Sequence, residues 1–411
     1  MGLRHLRSLF MAQFKRLAAC RTLGVGATGE HSDAALGATP KLGWAPSEEA
    51  QRRDAPNSTL ARRVGAKRVP RAKSDRLLGV RSYPTALSCR RMSRDPPFAD
   101  DPQRLLITGG SGFIGSALCR ALLRQGHALT LLARNRAKAA AILGPGIRSV
   151  GSLHDLDPAT PFDVVVNFAG EPIVGPRWSA SRKAVLHASR RGLTQSLVEW
   201  IGRAHNKPRL MISGSAIGYY GVQPMGEQSS LSEDAPAQDI FMSEVCQAWE
   251  SSAQAVGQLG VTLAILRLGI VLGPCSSGQG ALPKMLLPLR LGLNGILGTG
   301  QQSVSWVHLD DVLGAIAHVM RLPTVQAEGV FNLAAPEPLS QHAFMKLAAQ
   351  ALERRWTVPI AAPSWILQSL LGEQASLLLQ GQRVVPTRLL ETGYTFAFPR
   401  LREALKDCVA R

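Results

Sequence analysis

Arg104-Leu105-Leu106-Ile107-Thr108-Gly109-Gly110-Ser111-Gly112-Phe113-Ile114-Gly115 is an apolar run that passes directly into a glycine-rich turn. The first five residues have the pattern of a short buried strand. Ser116 to Gln125 then reads as a helix with Ala117, Leu118, Ala121 and Leu122 on its inner face. Strand, glycine turn and helix in this order give the motif its meaning. The spacing is G-x-x-G-x-x-G at Gly109, Gly112 and Gly115. Gly109 permits the tight turn, Gly112 lets the backbone approach a pyrophosphate, and Gly115 lets helix and strand pack closely. The helix start, with Phe113 and Ile114, offers unpaired N–H groups and a positive dipole end to phosphate oxygens.

A second strand is expected over Ala128-Leu129-Thr130-Leu131-Leu132-Ala133. An acid at its end would bind the ribose 2′-hydroxyl of NAD, whereas an Arg there accommodates a 2′-phosphate. The end reads Arg134-Asn135-Arg136, with Lys138 beyond, so NADP is favoured over NAD. A third strand, Val164-Val165-Val166-Asn167-Phe168-Ala169-Gly170, closes on small residues that let backbone pass near the cofactor. Ala184 to Ala204 is helical in pattern, Arg209 to Ser213 is the next strand, and Ser340 before Gln341 to Leu352 reads as a helix N-cap. Alternating β and α elements predict an α/β fold, a Rossmann-type doubly wound parallel sheet with a smaller C-terminal substrate lobe.

Working outward, the chain has 411 residues and a net charge of +18. Residues 1–100 hold 19 basic and 8 acidic residues, so most of the excess precedes the first strand. The expected organisation is a basic, disordered extension over 1–103, a nucleotide-binding domain over 104–335, and a helical or mixed C-terminal domain over 336–411. Residues 1–29, with Arg4, Arg7, Lys15, Arg16 and Arg21 and no acid, have the composition of an organellar transit peptide. A tail translated upstream of a true start near Met92 is the competing reading. The expected location is cytoplasmic, or mitochondrial if the transit-peptide reading holds. The six cysteines form no CxxC and no zinc spacing, so no metal site is expected. No uninterrupted apolar run reaches the roughly 18 residues of a membrane span. The body from Arg104 lacks a basic motif with base-reading aromatics, so nucleic acid is not an expected partner.

These motifs resemble the NAD-dependent epimerase/dehydratase family, the extended or atypical branch of the short-chain dehydrogenase/reductases. TGGSGFIG and Asn167-Phe168-Ala169-Gly170 look like its two nucleotide-binding motifs. Arg267 to Pro274 is similar to its R-x-x-x-V-x-G-P strand and turn, and His308-Leu309-Asp310-Asp311-Val312 to its H-x-D-D-V segment. RWS, SGSAIGYYG, FMSEVCQAWE and the closing VVPTRLLETGYTFAFPRLREAL narrow the resemblance to the YfcH-like subgroup, which carries a C-terminal domain of unknown function. The resemblance implies a nucleotide-sugar or related small-molecule substrate, with the glycine-rich loop at Gly292 to Gly300 in the substrate region.

The superfamily's acid–base chemistry uses Tyr and Lys at i and i+4 on one helix face. Four residues beyond Tyr83, Tyr219, Tyr220 and Tyr394 stand Leu87, Gln223, Pro224 and Phe398, so no Tyr-x-x-x-Lys exists. By motif order the two slots fall at Phe241 and Val245. The serine slot is filled by Ser215, with Ser213 as neighbour. Ser215, Tyr220 and Glu244 are the candidate catalytic residues, with Cys246 and His308 as further possibilities, while Arg267, at a strand's start, is a candidate to bind a substrate phosphate. Each has a structural alternative: a solvated helix face for Glu244 and Glu250, packing for Cys246, a network for His308, Asp310 and Asp311, and an internal ion pair for Arg267. The expected function is an NADP-binding oxidoreductase or epimerase acting on an unknown hydroxyl- or carbonyl-bearing small molecule. The alternative is a non-catalytic NADP(H) sensor or interaction protein. A homodimer is left open.

Overall fold

The computed structural model describes residues 95–411 apart from Met225, Gln228 and Arg355. The basic extension expected over 1–103 therefore lies, as far as Arg94, outside the described residues. In chain order the strands are β1 (Arg104–Thr108), β2 (Ala128–Leu132), β3 (Arg148–Val150), β4 (Val164–Asn167), β5 (Leu210–Ala216), β6 (Thr262–Leu268), β7 (Ile270–Leu272), β8 (Leu293–Leu297), β9 (Ser303–Val304), β10 (Trp306–His308), β11 (Gly329–Leu333), β12 (Leu339–Ser340) and β13 (Val358–Ala362). Seven of them form one sheet in the order β11-β6-β5-β4-β1-β2-β3. All of its pairings are parallel. This is the Rossmann-type sheet, with its switch point between β1 and β4.

Apolar runs make these strands because both faces are covered. Leu105, Ile107, Val164, Val166, Ile212 and Leu266 face one helical layer, where α1 (Phe113–Arg124) brings Leu118 and Leu122 and α2 (Arg136–Leu143) brings Ala139. Leu106, Val165, Met211 and Ile265 alternate to the other face. That face meets Leu197, Trp200 and Ile201 of a helix that also follows β4. The helix pattern expected over 184–204 proves to be two helices, α3 (Ala180–His187) and α4 (Leu193–Arg203), joined by a π turn at Ala188–Gly192. Helix α5 (Phe241–Gln254) packs on the same layer.

Two further expectations are corrected. Arg267 stands next to the end of β6, not at its start, because Leu263 to Leu266 before it are buried strand. Folded structure also begins before Arg104. Phe98 is fully buried in the core, its N–H donates to Gln125 Oε1, and Asp95 pairs with Arg124.

The smaller lobe has its own core. Leu282, Leu286 and Leu289 of α6 (Leu282–Arg290) meet Phe344 and Ala348 of a second helix and Leu401 and Leu405 of a third. Between α6 and those two in chain order comes α7 (Leu309–Arg321), whose Ile316 faces the main core instead. The two are α8 (Gln341–Ala351), capped by Ser340 as expected, and α9 (Leu401–Ala410). Asp311 fastens the chain before α9: its carboxylate accepts from the N–H groups of Ala397 and Phe398 and from Tyr394. Among the described residues no helix is long and apolar enough to cross a membrane.

Candidate functional site

The glycine turn lies at the carboxyl end of β1, where β1 meets β4. Gly109 has φ +72°, and a Cβ there would stand 2.7 Å from the Phe168 carbonyl, so only glycine fits. Gly115 has no room for a Cβ against the Gly109 carbonyl. Gly112 caps α1 with no side-chain hydrogen bond, and the first turn carries no acid. The first N–H groups of the helix are thus left for a ligand, at the crevice where doubly wound sheets bind dinucleotides. Phe113 has a different job from Gly112. Its ring fills the space that side chains at Gly273 and Gly280 would occupy and so ties the turn to the substrate lobe. Ile114 is partly buried against the main core.

Asn167 supports the crevice from behind. Its Oδ1 accepts from Thr108 Oγ1 (2.7 Å) and its Nδ2 donates to Thr194 Oγ1 (2.8 Å). The Thr108 hydroxyl in turn accepts from the Ala169 N–H (3.2 Å), which sets the path of Phe168 to Gly170. Gly170 itself is exposed. Arg134, just beyond β2, has 89% of its side chain in solvent and holds Glu171 at 3.0 Å across the mouth of the crevice. An exposed pair of this kind is worth little, so Arg134 is available to an anion.

Ser215 and Tyr220 are brought together, but in a sealed place. Ser215 Oγ donates to Glu250 Oε1 (2.6 Å), and Arg267 donates to both Glu250 oxygens at 2.9 and 2.8 Å. Arg267 Nη1 also donates to Tyr220 Oη (2.9 Å), which donates to Asn332 Oδ1 (2.7 Å). The Arg267 guanidinium lies 3.4 Å over the Tyr219 ring. Tyr220 is 1% exposed and packs with Val384 of the C-terminal segment, so burial pushes its phenol up to about 12. Burial alone would lower the Arg267 guanidinium, but Glu250 and Tyr220 raise it.

Glu244 does not join them. Its side chain is 70% exposed at the start of α5, with His187 Nε2 at 3.5 Å. Glu250, expected with it on a solvated face, is buried instead. Helical spacing carries the signal for this: Met242, Val245, Cys246, Trp249, Glu250 and Ala253 form one buried stripe. Cys246 lies in that stripe, and desolvation pushes its thiol up to about 12, so it stays an unreactive thiol near neutral pH. His308, Asp310 and Asp407 present three ligand atoms within 4.8 Å of one another. Arg411 Nη1 already bridges both carboxylates at 2.8 Å, and the Phe398 ring stacks on the imidazole. The group is an ion-pair network joining α7 to α9.

Sequence reasoning passed over Arg190. It stands in the π turn, 8% exposed, and its guanidinium donates to the carbonyl oxygens of Glu171 (2.9 Å) and Leu186 (3.3 Å).

Residues 105–334 match the NAD dependent epimerase/dehydratase family and residues 362–408 a domain of unknown function, DUF1731. The human epimerase family protein SDR39U1 is 37% identical over 311 residues, 75% of this chain and 100% of its own. Epimerase family protein YfhF of Bacillus subtilis is 30% identical, across 74% of this chain and 98% of its own. A crystal structure of human SDR39U1 (isoform 2) with NADPH superposes with a TM-score of 0.64 at 33% identity, covering 75% of this chain and 99% of that one. A UDP-glucose 4-epimerase from Thermotoga maritima shares the fold, with a TM-score of 0.61 at 19% identity. With its glycine turn, its strand order and its closing segment all accounted for, the chain belongs to the NAD dependent epimerase/dehydratase family.

Proposed function

We propose that this protein binds NADP(H) across the β1–β4 crevice and acts as an oxidoreductase or epimerase on a small molecule bearing a hydroxyl or carbonyl group, with nucleotide sugars the first class to test. The observation that carries the cofactor reading is the uncapped, acid-free start of α1 behind Gly109, Gly112 and Gly115. The N–H groups of Phe113, Ile114 and Gly115 would hold the pyrophosphate, and Ala169 and Gly170 would leave room for the chain of the cofactor. Arg134 would take the 2′-phosphate, giving up Glu171 to do so. The NADPH carried by the human relative supports the same preference. When bound, the nicotinamide supplies or accepts a hydride.

Proton handling falls to other groups than the usual pair. Asn167 positions the β4 turn from behind. Ser215 and Tyr220 keep the substrate end rigid through Glu250 and Arg267. Glu244, in contact with solvent and next to His187, would be the carboxylate that exchanges a proton with substrate.

The sealed Ser215–Glu250–Arg267–Tyr220 network favours a second reading, an NADP(H)-binding protein without turnover. Fluorescence titration with NADPH and NADH, followed by stopped-flow oxidation against nucleotide sugars and simple carbonyls, separates the two. Arg134→Ala is expected to weaken NADPH about tenfold and to leave NADH unchanged, a loss of about 1.4 kcal/mol. Unchanged NADPH affinity would overturn the preference. Tight binding with no hydride transfer, and no effect of Glu244→Gln, would leave the second reading standing.

A further inference from the structure

Arg190 is a buried cation held mainly by backbone carbonyl oxygens. Taking a guanidinium out of water costs several kcal/mol unless its donors are met, and buried charges are normally paired. Among the described residues no carboxylate makes an ion pair with Arg190. Its five N–H donors meet three acceptors: the carbonyl oxygens of Glu171 and Leu186, and Ser189 Oγ at 3.4 Å. Burial accordingly lowers its pKa from the usual arginine value.

The backbone goes out of its way to put it there. Arg190 lies in the π turn at Ala188–Gly192, and Thr194 Oγ1 ties back to its carbonyl at 2.8 Å. Single π turns inside α-helices recur at functional positions. The same Thr194 hydroxyl accepts from Asn167, so the turn is locked to the end of β4.

The guanidinium sits directly behind Gly170. A Cβ on Gly170 would lie 3.1 Å from its Cζ and 3.2 Å from Nη2, so glycine leaves the charge close to the crevice. Strand β5 and helix α5 each hold an unmet donor. Ser213 Oγ and Trp249 Nε1 are buried with no hydrogen-bond partner, and the guanidinium lies 5.2 Å over the Trp249 ring. Ser213 is the β5 residue paired with Asn167.

The strand order says which part of a dinucleotide would pass here. Gly109 abuts Phe168 and Ala169, so the pyrophosphate end of the crevice lies at β1. Arg134 marks the adenosine half, beyond β2. The other half must cross β4 towards β5, over Gly170. The Tyr-x-x-x-Lys cation is missing from that end, since Val245 holds its slot and is buried.

We propose that Arg190 is a cofactor-contacting residue that donates past Gly170 to the hydroxyls of the nicotinamide ribose, supplying the positive charge that no lysine provides. This rests on the dinucleotide reading above, and the test keeps the two apart. NADPH and adenosine 2′,5′-bisphosphate, which carries the 2′-phosphate but no nicotinamide ribose, are titrated against the full chain by calorimetry. Arg190→Met is expected to weaken NADPH about tenfold while adenosine 2′,5′-bisphosphate binds within about twofold of the parent, and Arg190→Lys is expected to recover part of the loss. Equal weakening of both ligands would mean a structural role only and would overturn the proposal. So would unchanged NADPH affinity. If the parent protein binds neither ligand, the dinucleotide reading itself falls, and this inference with it.

Discussion

Replacing Glu250 by Leu takes the acceptor from three donors at once: Ser215 Oγ, Arg267 Nε and Arg267 Nη2. It also strands a guanidinium that is 3% exposed. Breaking a buried pair by removing one partner costs about 3–5 kcal/mol, because the remaining charge is uncompensated. For a chain of this size a urea slope of about 3 kcal/mol per M is reasonable, so the unfolding midpoint should fall by about 1–1.7 M. Removing both charges, in Glu250→Leu with Arg267→Met, should restore most of that loss, since an apolar pair of similar volume needs no desolvation. The assay is urea unfolding followed by tryptophan fluorescence for the parent, both single variants and the double variant. A double variant as unstable as the sum of the singles would refute the reasoning. So would a Glu250→Leu midpoint unchanged within error. Either result would also reopen Ser215 as a hydroxyl free to meet substrate.

Two other outcomes follow from the packing. Phe98→Ala should cost about 3–5 kcal/mol, read as a lower urea midpoint, because a fully buried ring is lost from the main core. NADPH affinity per folded molecule should not change. Burial alone would raise the Asp407 carboxyl, but His308 and Arg411 outweigh it and hold it at about 2. A depressed carboxylate stabilises the fold above its unfolded pKa of about 3.8 and loses that contribution as pH falls through about 2. Asp407→Asn should therefore flatten the stability curve between pH 4 and pH 2, measured by urea midpoints, and change its slope little above pH 5.

The strand–turn–helix at Arg104 to Gln125 was legible because each local signal agrees: an apolar run, glycines at fixed spacing, then helical periodicity. Arg134 at the end of β2 and Ser340 at the start of α8 were legible for the same reason, since each effect is local. β3 was not foreseen, being three exposed or half-buried residues placed only by their pairing with β2. The π turn was hidden because its sequence, Ala-Ser-Arg-Arg-Gly, continues a helical pattern, and only Thr194 and Asn167 reveal what it locks. The Ser215 network joins residues far apart in the chain, and Tyr220 is sealed by Val384 from a distant segment. Such contacts have no local signature. Glu250 is the exception, since its place in the apolar stripe of α5 could have been read from spacing alone.

A crystal structure of the full chain grown with NADPH tests the central claim most directly. The account predicts the pyrophosphate on the N–H groups of Phe113, Ile114 and Gly115, the 2′-phosphate on Arg134, and Arg134 parted from Glu171. A cofactor bound elsewhere, or a 2′-phosphate that leaves Arg134 on Glu171, would contradict it.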